Sequence, residues 1–350
     1  MIDLPEPAVT SDVWPWSTDT DVPTFSANSD WPKISIITPS YNQGKYIEET
    51  IRSVLAQNYP NLEYIIIDGG STDETLEIIK KYEPWISYWV SEPDNGQSHA
   101  INKGLKKCTG EIFNWLNSDD FYTPGALFEV ASKFKDNSSL HVVSGYERYL
   151  RNGSGEEEIF AGTLVVKDIV KTIELSQIGQ PSTFFKTNKF KELGPIPENL
   201  HYVMDGEMWV RYLLLNGQGK FSKIEKTLVN FRLHNDSKTV NNIHSFHYER
   251  NCIICDVQRF AKVPQAIIDH WVTITANKTP VYTLNRPWEI NEKYITKKQL
   301  RTYFIKKYIN FQFQHNNLRN VFFGIKQLIK DKQFNAFMLR SLIKLVIKAG

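Results

Sequence analysis

Asn117-Ser118-Asp119-Asp120 sets two adjacent carboxylates at the end of an apolar run, Glu111 to Leu116. Like charges side by side repel unless a cation or a hydrogen-bonded partner offsets them, so the pair suits a hard divalent ion or a polar ligand. Asp119 and Asp120 could hold Mn2+ or Mg2+ and leave coordination positions for a diphosphate. Such an ion would act as a Lewis acid on a departing diphosphate. The competing account is a solvated turn that caps the helix after Pro124. The chain has no Gly-x-x-x-x-Gly-Lys-Ser/Thr and no Gly-x-Gly-x-x-Gly, which disfavours an ordinary ATPase or dehydrogenase.

The elements that must position these acids alternate in type. Ile34 to Thr38, Glu63 to Asp68, Ile86 to Glu92 and Glu111 to Leu116 are strand-like, whereas Lys45 to Gln57, Asp73 to Tyr82 and Gln97 to Cys108 have helical spacing. This βαβαβαβ order, with near-continuous apolar strands, predicts a parallel sheet covered on both faces. Ligands bind such sheets beyond the carboxyl ends of the strands. The four strands end in Thr38-Pro39-Ser40-Tyr41-Asn42, Asp68-Gly69-Gly70-Ser71, Glu92-Pro93-Asp94-Asn95-Gly96 and Asn117-Ser118-Asp119-Asp120, so every polar cluster falls on one rim. There Asp68 could accept from a nucleobase amide and Tyr41 offers a face for stacking. Gly96-Gln97-Ser98-His99 opens a helix whose backbone N–H groups could meet anionic donor atoms.

Beyond Pro124 the pattern weakens. Val142 to Leu150 and Glu158 to Phe160 read as strands around the turn Asn152-Gly153, Pro181 to Phe185 and Val229 to Leu233 as further strands, and Met204 to Leu215 as a helix. From His244 onward the chain reads as helices. The expected organisation is an extended arm over 1–32, an α/β domain over 33–240 and a helical region over 241–350. The α/β domain divides into a regular half, 33–127, and a less regular half, 128–240.

The 41 basic and 39 acidic residues leave a net charge of +2, so no global field marks a nucleic-acid binder. Residues 291–350, however, carry 13 Lys or Arg against Glu292 and Asp331 alone. Cys108, Cys252 and Cys255 are too few for a disulfide framework and suit a reducing compartment. The amino-terminal residues have neither the charged start nor the apolar run of a signal peptide, and no uninterrupted apolar stretch has the length of a membrane span. A cytoplasmic location is expected. His244, His247, Cys252 and Cys255 resemble zinc ligands by type, but on one helix the outer two would lie about 16 Å apart.

Ile36-Ile37-Thr38-Pro39-Ser40-Tyr41-Asn42, Ser53-Val54-Leu55-Ala56-Gln57, Asp68-Gly69-Gly70-Ser71-Thr72-Asp73 and Asn117-Ser118-Asp119-Asp120 occur in the order and at the intervals of the family 2 glycosyltransferases. The chain resembles that family from about Lys33 to Leu127, and more weakly to about Asn235. The resemblance implies a GT-A fold, a Rossmann-like mixed and mainly parallel sheet flanked by helices, here with a C-terminal helical extension. It also implies a nucleotide-diphosphate-sugar donor, divalent metal dependence and inversion at the anomeric carbon, with 33–240 as the catalytic domain, 33–127 its nucleotide-binding half and 128–240 its acceptor half. By motif position Thr38, Pro39, Tyr41 and Asp68 frame the nucleoside, with Ser40, Gly70, Asp94, Gln97 and Ser118 on the same rim. Asp119 matches the closing acid of the family's Asp-x-Asp motif and is the first choice for metal, with Asp120 second. Asn117 stands where the family often has the opening aspartate, and its amide can still bond a ribose hydroxyl. Arg232 and His234 match a segment near the diphosphate, Arg232 as a phosphate clamp and His234 as a further metal ligand or a structural residue. Asp205 aligns with the family's general base, its alternative being a helix N-cap. Glu207 and Arg211, four apart, can pair on another face of that helix.

The expected activity is therefore metal-dependent, inverting transfer of one sugar, UDP-sugar favoured, to a hydroxyl of a glycan or lipid-linked acceptor in polysaccharide biosynthesis. Neither a Gln-x-x-Arg-Trp motif nor membrane helices accompany it, which implies a non-processive hexosyltransferase. A catalytically weak nucleotide- or carbohydrate-binding GT-A scaffold, motivated by Asn117, is the alternative; a nucleotidyltransferase lacks the Gly-rich basic loop after strand one. The basic tail reads either as a peripheral contact with the inner face of the cell membrane or as a helical subdomain with solvated lysines.

Overall fold

The computed structural model describes residues 3–7, 9, 11–17, 22, 30–151, 157–234, 237–275, 286–333 and 335–349. The turn expected at Asn152-Gly153 lies outside them. The elements run β1 (Ile34–Ser40), α1 (Ile47–Leu55), β2 (Leu62–Asp68), α2 (Thr75–Tyr82), β3 (Tyr88–Ser91), α3 (Gln97–Lys107), β4 (Ile112–Trp115), β5 (Phe121–Tyr122) and α4 (Ala126–Asp136). Then come β6 (Val142–Arg151), β7 (Glu157–Phe160), α5 (Ile169–Leu175), β8 (Thr183–Lys186), α6 (Thr187–Lys191), α7 (Met204–Asn216), β9 (Phe221–Leu233) and α8 (Lys238–Asn241). Helices α9 (Ile243–Phe260), α10 (Gln265–Thr275), α11 (Lys297–Gln314), α12 (Leu318–Lys330) and α13 (Ala336–Ala349) follow.

All strands join one sheet in the order β3-β2-β1-β4-β8-β6-β9-β5, with β7 beside β6. The strands β3, β2, β1 and β4 are parallel, as is the long β6–β9 pair, whereas β8 runs antiparallel to both its neighbours. Every residue of β1 is buried, as a β-branched strand covered on both faces must be. Against it α1 presents Ile47, Ile51, Val54 and Leu55, all essentially inaccessible, at helical spacing. Helix α3 approaches so closely that a Cβ on Gly104 would lie 2.7 Å from Ile37 Cγ2, so only glycine fits there.

The chain divides into two compact units. The first comprises residues 1–166, 175–212 and 218–243 and contains the whole sheet; the second comprises 167–174, 213–217 and 244–350. In the first, the described part of the N-terminal arm is tied down by one arginine. Arg52 of α1 donates to the carbonyls of Pro5, Pro15 and Trp16 at 2.9, 3.1 and 3.2 Å, and the Trp14 indole donates to the Tyr122 carbonyl at 2.7 Å. In the second, Cys252, Ile253, Ile254 and Cys255 line the buried side of α9, and α11 begins at a capping box between Thr296 and Gln299.

Two of the expected strands differ in extent, and one strand was not expected. Strand β3 is shortened to Tyr88–Ser91 because Pro84 opens a single 3-10 turn over Glu83–Trp85. Strand β9 begins eight residues earlier than its apolar end suggests, since pairing with β6 satisfies a polar stretch. The two-residue strand β5 gave no periodic signal and exists through its pairing with β9.

Candidate active site

The parallel register aligns the ends of β1 and β2, with Ser40 opposite Asp68 and Ile37 opposite Trp115 of β4. Asp68 and the residues following β4 thus lie two strands apart, about 10 Å in the ladder direction. Asp68 is fully buried, and four donors converge on it: Ser71 Oγ at 2.5 Å, Ser91 Oγ at 2.6 Å, and the backbone N–H groups of Ser71 and Gly70 at 2.8 and 3.0 Å. A carboxylate has about four acceptor positions, so a nucleobase amide must compete here with a rotatable serine hydroxyl.

The neighbouring loops are knitted to this one. Asn42 N–H donates to Ser71 Oγ at 2.7 Å, and Thr72 N–H to Asn42 Oδ1 at 2.9 Å. Tyr41 stands 61% exposed with its ring available for stacking, while Pro39 and Ser40 are buried and the Ser40 hydroxyl makes no hydrogen bond. Thr38 Oγ1 lies 3.1 Å from the Tyr64 hydroxyl, beneath the rim. Asp94 accepts from Gly96 N–H at 2.7 Å, and its carboxylate fits against the bare Cα of Gly69. Gln97, opening α3, donates to Asn117 Oδ1 at 2.7 Å and accepts from Lys238 Nζ at 3.1 Å.

The two adjacent acids are not equivalent. Asp119 is a quarter exposed, and its Oδ2 lies 3.2 Å from His234 Nε2. Asp120 is 1% exposed and accepts from the backbone N–H of Arg232 at 3.1 Å. Burial first, and the Asp119 charge second, hold Asp120 well above the usual carboxylate range against the pull of Arg232. The peptide itself is pinned by Thr50 Oγ1, which donates to the carbonyls of Ser118 and Asp120 at 3.0 and 2.7 Å.

Arg232 organises this corner. Its guanidinium donates to the Asp119 carbonyl at 2.5 Å, pairs with Glu49, and lies 4.5 Å from the Phe121 ring centroid. Burial raises Glu49 and Arg232 opposes that rise. Tyr46 stacks obliquely on His234, with ring centroids 4.6 Å apart, and Ser237 Oγ accepts from the His234 backbone N–H at 3.0 Å.

Asp119 and His234 supply one carboxylate oxygen and one imidazole nitrogen in near contact, a donor set that fits a divalent ion sharing its remaining positions with phosphate and water. Among the described residues no three His, Cys, Asp or Glu side chains form a metal-binding group. Asp120, the second expected ligand, turns Oδ1 to the β9 backbone, and its Oδ2 lies 3.5 Å from Asn117 Nδ2.

Asp205 is partly exposed in the first turn of α7, and Glu207 pairs with Arg211 at 2.6 Å in the interior. Motif reading missed one buried acid whose charge is felt at Asp120 and which feels that of Asp205. Glu147 of β6 is 2% exposed, accepts from Ser182 Oγ at 3.1 Å and is hydrogen-bonded by Tyr149. Burial is the main cause that pushes it up to about 7, and the Asp205 charge adds to the rise. The same Glu147 charge contributes to the shift of Asp120, so the three carboxyl groups share one electrostatic neighbourhood. A Cβ on Gly179 would lie 2.6 Å from Glu147 Oε1, so a glycine makes room for it. The available signal was a lone acid at an inward position of a strand. Glu49, Tyr46 and Lys238 were also missed, since each is an ordinary helix residue in the sequence.

Residues 35–203 match the model of glycosyl transferase family 2, and the chain carries a domain of that family. Over 218 residues it is 31% identical to an uncharacterized glycosyltransferase of Rickettsia typhi, a match covering 60% of this chain and 66% of that protein. It is 36% identical over 126 residues to TuaG of Bacillus subtilis, provisionally named a teichuronic acid biosynthesis glycosyltransferase, covering 35% of this chain and 50% of TuaG. The chain thus spans just under two thirds of the first relative and half of the second. Among solved structures, S. aureus TarS 1-349 in complex with UDP-GlcNAc superposes with a TM-score of 0.53 at 19% identity, over 85% of this chain and 81% of that one. That likeness concerns the fold. The GT-A architecture implied by the sequence resemblance is the one observed: a mixed, mainly parallel sheet flanked by helices, with a helical C-terminal region.

Proposed function

We propose that this chain is a metal-dependent, inverting glycosyltransferase that moves one sugar from a nucleotide-diphosphate-sugar to a hydroxyl of a glycan or lipid-linked acceptor. The observation that carries the reading is the meeting of Asp119 with His234 at 3.2 Å, beside Arg232, on the rim that also holds Asp68. Tyr41 stacks on the base. The loop organised by Asp68, with Thr38, Pro39, Ser40, Gly70 and Asp94, frames the nucleoside, and Gln97, Asn117 and Ser118 reach toward the ribose. Asp119 and His234, with Asp120 beside them, would hold Mn2+ or Mg2+, which would supply positive charge to offset that of a departing diphosphate. Arg232 supplies a fixed cation at the same place.

Asp205 takes the proton of the acceptor hydroxyl as that oxygen attacks from the face opposite the diphosphate. Glu147 is buried in the same electrostatic neighbourhood as Asp205. Single-sugar, hexosyl transfer is part of the proposal, as is a role in polysaccharide biosynthesis. Among the described residues no helix is long and apolar enough to cross a membrane.

The test is a panel of UDP-, GDP- and dTDP-sugars with Mn2+, beginning with UDP-sugars, scored by thermal stabilisation and donor turnover. Asp205→Asn is expected to keep donor-dependent stabilisation and to lose transfer by roughly 10²–10⁴-fold. Stabilisation in both proteins with turnover in neither would leave the scaffold reading. No response to any donor would remove both.

A further inference from the structure

We infer that the exposed face of α12 and α13, in the second unit, docks on an anionic lipid bilayer. This goes beyond the donor-site reading and does not depend on it. Helix α13 buries Met338 and Ser341 and half-buries Leu342 and Leu345, so that side faces its own unit. The opposite side presents Leu339, Ile343, Val346 and Ile347, exposed by 59, 51, 72 and 73%. The remaining exposed residues between them are Arg340, Lys344 and Lys348. In α12 the exposed residues are Arg319, Phe322, Lys326, Ile329 and Lys330, spaced to lie on one face. Both helices thus turn outward a surface of large apolar and basic side chains with no acid.

Charge identifies the occupant. Residues 318–349 contain seven Lys or Arg and a single acid, Asp331, which is engaged by Arg301 at 2.6 Å. Lys348 bonds Asn316 Oδ1 at 2.6 Å, and Lys326 lies 5.1 Å from the Phe322 ring centroid. Among the described residues no acid pairs with Arg319, Lys326, Lys330, Arg340 or Lys344. Aliphatic side chains interleaved with long cations enter a headgroup layer well, because the chains bury apolar carbon while the charges reach phosphate. A protein interface more commonly offers several aromatic anchors over pockets, whereas Phe322 is the one exposed aromatic among the aliphatic and basic side chains of this face.

The experiment is sedimentation of the full chain with phosphatidylcholine vesicles, with and without phosphatidylglycerol, at low and high salt. Binding is expected only with phosphatidylglycerol and should fall steeply with salt. Lys326→Glu with Lys330→Glu, and separately Ile343→Asn with Val346→Asn, should each weaken partitioning by about tenfold or more, with unchanged thermal melting. Because these side chains are exposed, the variants keep the fold. Absence of salt-sensitive binding overturns the inference, as does binding that neither pair of substitutions weakens. Self-association without vesicle binding, abolished by the apolar pair, would assign the face to a second copy and equally overturn it.

Discussion

Asp68 and the Asp119-Asp120 pair occupy the same kind of position, just at or beyond the end of a buried parallel strand, yet their charges are handled in opposite ways. Asp68 is satisfied mostly by its own loop: three of its four donors come from Gly70 and Ser71. Asp119 and Asp120 depend on β9, more than a hundred residues away, which brings the Arg232 guanidinium and backbone N–H and the His234 ring. A loop that closes on its own carboxylate makes a rigid wall, suited to framing a ligand. A corner held by groups from a distant strand keeps Asp119 partly open and suited to sharing charge with a ligand. Adjacent residues can also part company, as Asp120 turns inward while Asp119 faces His234.

The contrast can be broken experimentally, most forcefully at Arg232. Its side chain is nearly buried, and Arg232→Ala leaves Glu49 and the Asp119 carbonyl without their partner. Breaking a buried pair in this way should cost about 3–5 kcal/mol in denaturant unfolding. A loss below about 1 kcal/mol would show that the corner stands without its distant cation. Asp68→Asn should cost less, about 1–3 kcal/mol, because the amide keeps one acceptor while turning a donor toward other donors. Its effect on hydrogen exchange should stay confined to Gly70, Ser71 and their neighbours; spreading into β5 or β9 would contradict local closure.

A pH-dependent effect concerns Glu147, whose charge is felt at Asp120 and which feels that of Asp205. Burial lifts it from an ordinary 4.5 to about 7, so across that window the folded chain keeps a proton the unfolded chain has released. Stability from this group is therefore greatest below the unfolded value and declines as pH rises toward 7, on the order of 1 kcal/mol per pH unit at most. Glu147→Gln should remove that decline in unfolding measured at stepped pH. An unchanged slope would assign the proton to another group.

Much of the first half was legible because its signals are local. Strand and helix periods, the turn residues after β1 and β2 and the acid pair after β4 all lie within short stretches whose hydrogen bonds close nearby. The Glu207–Arg211 pair was readable for the same reason, since helical spacing alone brings the two together. Strand β5, by contrast, is two residues long and acquires its identity from β9. Glu147 reads as an unremarkable strand acid until β8 and the glycine at 179 close around it.

The sequence by itself determined the alternation of elements, the rim on which polar residues collect and the family signature. Apolar periodicity and turn chemistry are properties of neighbouring residues and survive without knowledge of the fold. Only the tertiary structure decided that Asp120 serves the β9 backbone while Asp119 meets His234, and that Glu147 is buried within reach of the charges of Asp120 and Asp205. Those outcomes depend on which charges are taken out of water together, and burial is set by strands and helices far apart in the chain.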